Sequence, residues 1–112
     1  MMIYKIFRKT EWDELVAQGE TAGAPIDLED GYIHFSSADT VAETAALHFK
    51  DQDELILAAC DPEAMEADLK WESSRGGKQF PHLYRKLRME DVSSHWALPL
   101  SGGRHLFPDG LL

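Results

Sequence analysis

Six consecutive apolar residues, Leu55-Ile56-Leu57-Ala58-Ala59-Cys60, constrain this chain more than any other stretch. Strand side chains alternate between two faces, so a short run that is apolar at every position must be covered on both. The stretch from Glu54 to Cys60 therefore reads as a strand at the centre of a sheet. The other elements have to be arranged around it. Met2 to Phe7 is β-branched, aromatic and apolar, with Lys5 interrupting, and predicts a first strand. Tyr32-Ile33-His34-Phe35-Ser36, after the Asp30-Gly31 turn, predicts another. Leu83 to Leu87 and Val92 to Leu98 add two more.

Helix signals fall between the strands. Thr10-Glu11-Trp12-Asp13 resembles a capping box, and Trp12, Leu15 and Val16 share a face that ends near Gly19. Thr40-Val41-Ala42-Glu43 is a second capping box, opening a helix to about Phe49 with Val41, Ala45 and Phe49 on one stripe, helped by Ala42 and Ala46. Asp61-Pro62 supplies a cap and a first-turn proline for a short helix over residues 63–69. Residues 20–30 carry Gly and Pro breakers among acidic residues and read as a loop. Ser73 to Gly77 reads as a flexible loop. The order β-α-β-α-β-α-β-β, with helices early and strands late, predicts an α+β fold with a twisted, mixed or antiparallel sheet.

The 112 residues show no repeat or linker and suit one domain, residues 1–112, ending in an irregular tail over 99–112. A net charge of −9 argues against a broad nucleic-acid or anionic-lipid surface. It leaves room for a local anion pocket. Acidic residues concentrate in 11–30 and 51–68, whereas Arg75, Lys78, Arg85, Lys86 and Arg88 follow one another without an acid, which predicts one locally basic cleft. The lone Cys60 excludes an internal disulfide and reads as a buried thiol. No apolar leader or membrane-length segment is present, so a cytoplasmic protein is expected. The five histidines lack metal-motif spacing, and no metal is expected.

Three blocks concentrate polar chemistry. In the first, alternation places Tyr32, His34 and Ser36 on one strand face and Ile33 and Phe35 on the other, in the core. A phenol, an imidazole and a hydroxyl together suit a ribose or a phosphate, and imidazole titrates near neutrality. An ordinary half-exposed strand face has the same pattern. The second block is Trp71-Glu72-Ser73-Ser74-Arg75-Gly76-Gly77. Arg75 beside Gly76 and Gly77 suits an anion held by backbone N–H groups and a guanidinium fork. A solvated loop with Arg75 paired to Glu72 or Asp68 fits as well. The third is Phe80-Pro81-His82-Leu83-Tyr84, where His82 and Tyr84 share a face. Should the first and third strands be neighbours, Tyr32, His34, His82 and Tyr84 would line one cleft.

These blocks, in this order, resemble the domain-of-unknown-function family numbered 952, from about Ile3 to Leu98. The resemblance implies a fold similar to that of ADP-ribosyltransferases, with sheet portions around a cleft. The nearest pattern is that of the NAD-consuming RNA 2′-phosphotransferases, which implies NAD as a cofactor. Their first block corresponds to Ile3-Tyr4-Lys5-Ile6-Phe7, with Lys5 where those enzymes carry His and Ile6-Phe7 where they carry Gly-Thr. Their second corresponds to Tyr32-Ile33-His34-Phe35-Ser36. On this basis His34 and His82 are the candidate catalytic residues. Tyr4, Lys5, Tyr32, Ser36, Glu72, Arg75, Gly76, Gly77 and Tyr84 are the candidate ligand-binding residues. The expected activity is binding of a small anionic or nucleotide-like ligand, NAD or ADP-ribose in type. The alternative is an interaction module that kept the fold and lost the chemistry, as the changes at Lys5, Ile6 and Phe7 suggest.

Overall fold

The apolar run does sit at the centre of a sheet. In the computed structural model, which describes residues 1–111 with the side chain of Arg75 outside the described residues, β4 (Leu55–Cys60) lies between β1 (Ile3–Arg8) and β8 (Val92–Leu98). Both pairings are antiparallel, with Lys5 opposite Ala58 and Leu57 opposite Trp96. Both faces of β4 are covered, as its composition demands. Ala58 and Cys60 pack with Ile3, Phe7, Trp12 and Leu15. Leu55, Leu57 and Ala59 pack with Tyr4, Ile6, Val41 and Leu98. Cys60 is a buried free thiol, pushed up to about 12 by burial and then by the nearby Asp91 carboxylate.

A second antiparallel sheet has the order β3 (Ile33–His34), β6 (Gln79–Leu83), β5 (Leu69–Ser73). The two sheets meet at one antiparallel bridge. Tyr4 N donates to Ser36 O at 2.7 Å, and Ser36 N donates to Tyr4 O at 2.8 Å. Helices α1 (Lys9–Gln18), α2 (Pro25–Asp30) and α3 (Val41–His48) flank the sheets. Short strands β2 (Glu20–Thr21) and β7 (Leu87–Arg88) pair with each other. The result is an α+β arrangement of antiparallel sheets with few helices.

Several sequence expectations are corrected. Residues 20–30 are not a loop, because Pro25 at the first turn and Gly31 in the left-handed region bracket the helix α2. The cap of α1 is Arg8, whose N–H donates to Glu11 Oε1 at 3.0 Å, rather than Thr10 with Asp13. Val16 is exposed while Trp12 and Leu15 are buried, so the inward face of α1 is narrower than expected. Ala42 and Ala46 of α3 also face outward. Thr40 makes no side-chain cap and instead accepts from Ser37 N. Ser73, expected to open a flexible loop, is the last residue of β5. The strand expected over 83–87 is β6, which ends at Leu83, because a turn separates it from β7. Residues 62–68 form a 3-10 helix, with Asp61 accepting from Glu63 N as its cap. The tail holds a small hairpin, β9 (Leu100–Ser101) with β10 (Arg104–His105).

Candidate functional site

Beyond the Tyr4–Ser36 bridge the two sheets part, and a cleft of about 480 Å³ opens between them. Tyr4, Lys5, Ile6 and Arg8 of β1 line one side. His34, Phe35 and Ser36, with Phe80 and His82 of β6, line the other. The volume lies within the roughly 300–1,000 Å³ typical of ligand sites. Its walls are mainly apolar, with a few convergent polar groups.

The deepest polar group is Asp27, on α2, which is fully buried. Oδ2 accepts from Lys5 Nζ at 2.9 Å and from Ala24 N at 2.8 Å. Oδ1 accepts from His34 N at 3.1 Å and faces His34 Nδ1 at 2.5 Å. Burial alone would push this carboxyl up. The His34 imidazole and the Lys5 ammonium outweigh burial, with the His34 backbone N–H adding to them, and hold it down at about 2. Asp27 is therefore an acceptor, and a proton sits on His34 Nδ1 facing it. The other ring nitrogen, Nε2, lies 3.0 Å from Asp30 Oδ2. Lys5 Nζ also donates to His34 O at 3.2 Å.

β3 and β6 pair with His34 directly opposite His82. The four polar aromatics expected to line one cleft are brought together, but only His34 and His82 line it. Tyr32 stacks on His82 at 4.2 Å between ring centroids, and its ring lies 4.7 Å from His34 and 5.2 Å from Tyr84. Glu72 joins from β5. Its Oε1 accepts from Tyr84 Oη at 2.6 Å and faces His82 Nδ1 at 2.8 Å. The Tyr84 bond and then the His82 bond hold the Glu72 carboxyl below its ordinary range. The same bond to Glu72 raises the Tyr84 phenol to about 12. Tyr32 is raised as well, by burial first and then by Asp30 and Glu72. Both phenols stay protonated at neutral pH.

The remaining candidates divide. Tyr4 and Ser36 line the cleft, and Ser36 Oγ lies 2.8 Å from Thr44 Oγ1 of α3. Tyr32 and Tyr84 border a separate hollow of about 220 Å³. Gly76 and Gly77 occupy an exposed turn and line neither. The Arg75 side chain lies outside the described residues. The expectation that the run from Arg75 to Arg88 makes the cleft basic is corrected for Arg85, Lys86 and Arg88, which do not line the cleft. Arg85 is clamped by Asp91 at 2.8 Å and Asp68 at 3.3 Å, Lys86 pairs with Glu20 at 3.2 Å, and Arg88 reaches Glu90 at 3.9 Å. Among the described residues, Lys5 and Arg8 are the lysine and arginine that line the cleft. Arg8, half-exposed and tied to Glu11 and Gln52, was not singled out by the sequence. Nor was Asp27, although Pro25, an acid two residues on and Gly31 mark the helix that presents it.

Among the described residues no group of His, Cys, Asp and Glu is arranged to hold a metal ion, and no helix is long and apolar enough to cross a membrane.

Residues 6–95 match the family described as Protein of unknown function, DUF952. The chain belongs to that family. It is similar to protein CC0527 from Caulobacter crescentus, whose crystal structure superposes with a TM-score of 0.94 at 45% identity, covering 99% of this chain and 98% of that one. A double-mutant crystal structure of CC0527 gives the same TM-score at 46% identity. Its solution NMR structure gives 0.83 at 45% identity, covering 93% and 90% of the two chains. No curated protein matches the chain.

Proposed function

We propose that this DUF952 domain binds a small anionic, nucleotide-like ligand, NAD or ADP-ribose in type, in the cleft between its two sheets. The observation that carries the reading is the convergence on one cleft of a buried lysine, the Asp27–His34 carboxylate–imidazole pair and a second imidazole, His82, which pairs with Glu72 behind the cleft lining. Apolar walls with a few fixed polar groups suit a ligand that has a flat ring, a sugar and a charged link. Lys5 and Arg8 are the cations for that link, and Ser36 and His82 are the partners for sugar hydroxyls. The opening of a cleft where two antiparallel sheets part also supports the ADP-ribosyltransferase-like arrangement.

Isothermal titration with NAD, ADP-ribose and a panel of mononucleotides tests this. The expected outcome is saturable binding of ADP-ribose or NAD tighter than about 1 mM, roughly −4 kcal/mol. Absence of heat at millimolar ligand with a folded protein overturns it. A second reading, binding without chemistry, is favoured by Lys5, whose ammonium is engaged by Asp27 and the His34 carbonyl. Mass spectrometry of NAD after long incubation separates the two, since a pure binding module returns the nucleotide unchanged.

A further inference from the structure

The two histidines of the cleft are not equivalent. Both ring nitrogens of His34 face carboxylates, Nδ1 at Asp27 and Nε2 at Asp30. A ligand can reach neither without displacing a carboxylate. His82 has one nitrogen engaged, Nδ1 with Glu72. Among the described residues nothing hydrogen-bonds its Nε2. The residue is 4% exposed, lines the cleft, and is covered by the stacked Tyr32, which precedes β3. The groups around it are His34 from β3, Tyr32 just before it, Glu72 and the opposed Lys70 from β5, and Tyr84 on its own segment.

We infer that His82 Nε2 is the proton-accepting atom of the cleft, that Glu72 is its positioning residue, and that His34 is a fixed anchor outside proton transfer. This rests on the reading of the cleft as a nucleotide site and assigns roles within it. Glu72 is an acceptor, with one oxygen shared between the Tyr84 O–H and the His82 Nδ1–H. That fixes the tautomer of His82, because the carboxylate can only receive and the ring proton must sit on Nδ1. Nε2 is left with a free lone pair on a residue that lines the cleft. It takes a hydrogen bond from a ligand hydroxyl. In a reaction the O–H bond breaks, an N–H bond forms on Nε2, and the electron pair stays on the ligand oxygen. The resulting imidazolium is held beside Glu72, the arrangement that lets a carboxylate support a histidine base. The chemical class recognised is thus a ligand with a free sugar hydroxyl, rather than one in which that hydroxyl is absent or blocked.

Side-chain nitrogen NMR on the intact protein at neutral pH tests the assignment without any ligand. The expected spectrum shows His82 as the Nδ1–H tautomer. Glu72→Ala moves the proton partly to Nε2, and Glu72→Gln, whose carbonyl still accepts, restores Nδ1–H. The His34 signals stay in place in both variants. Nε2–H in the wild type, or no response to Glu72→Ala, overturns the assignment. ADP-ribose is then added as the probe. It should shift His82 Nε2 but not the His34 nitrogens, and His82→Asn, which keeps a donor toward Glu72 and deletes Nε2, should weaken binding about tenfold. A shift at His34 instead of His82 overturns the division of roles. Failure of ADP-ribose to bind sinks the nucleotide reading alone, while the tautomer spectrum still decides His82.

Discussion

Asp27 shows why the residue type at one buried position is so restricted. Its carboxylate receives four donors, from Lys5, Ala24 N, His34 N and His34 Nδ1, two at each oxygen. Asparagine offers one acceptor oxygen and would leave Ala24 N and the Lys5 ammonium facing an amide N–H. Breaking a buried ion pair from one side costs about 3–5 kcal/mol. The Asp27 carboxyl is held at about 2 in the folded protein, against 3.8 for the ordinary group. A depressed carboxyl stabilises the fold in full above about pH 4 and loses that contribution as the pH falls through about 2, some 2 kcal/mol in all. Carboxyl-carbon NMR should therefore show Asp27 titrating near pH 2, with urea midpoints falling in the same window. Titration near pH 4 would mean that Lys5 and His34 do not act on it as the geometry requires.

At the scale of the element, α2 decides whether the site exists, because it delivers both Asp27 and Asp30 to His34. It is anchored at its entrance by Gly23, whose φ is +100°. A Cβ there would sit 2.2 Å from Asp27 Oδ2, an atom already held by Lys5 and Ala24. Gly31, at the exit, also has a positive φ, +84°, but a Cβ would meet nothing within 4 Å. Alanine at either glycine pays the left-handed backbone cost of about 1–2 kcal/mol. Only Gly23→Ala also displaces the buried carboxylate, so it should destabilise by at least about 2 kcal/mol more than Gly31→Ala. Paired urea titrations check this, and equal losses would refute it. How far such elements can be read from sequence depends on length. The six apolar residues of β4 and the alternation of Ile33 and Phe35 needed only local pattern, so the central strand and the inward face of β3 were legible. So was the joint face of Tyr32 and His34, although its pairing with His82 was not, since register is a long-range property. α2 is six residues long and is marked only by a proline at its start, an acid two residues on and a glycine after its end, which taken singly are also loop residues. Asp27 was hidden with it. The basic run from Arg85 to Arg88 misled for a related reason: its acidic partners Glu20 and Asp68 come from other parts of the chain, and Asp91 stands just past its end and folds back on Arg85.

For the whole molecule, the question is whether two sheets joined at one bridge behave as one cooperative unit. β4 belongs to the first sheet, yet the cluster on one of its faces also contains Ile33 and Phe35 from the β3 segment and Leu83 from β6. Packing thus couples the sheets more widely than the Tyr4–Ser36 backbone bridge and the Lys5 Nζ–His34 O bond do. Leu57 is fully buried on the opposite face of β4, among Tyr4, Ile6, Val41 and Leu98. Leu57→Ala should cost about 3 kcal/mol, from lost transfer free energy and the cavity left behind. If the sheets unfold together, native-state hydrogen exchange should show the same loss of protection at Ile33 and Leu83 in the second sheet as at Ala58 in the first. Protection lost only around β4 would mean that the second sheet opens on its own. The cleft would then lie between two separately unfolding bodies, and the His34–His82 pairing could not be treated as a fixed wall. Equal loss ties the geometry of the cleft to global stability, so that a variant in the Leu57 core, though remote from any ligand contact, lowers the fraction of molecules with an assembled site only as far as it unfolds the whole.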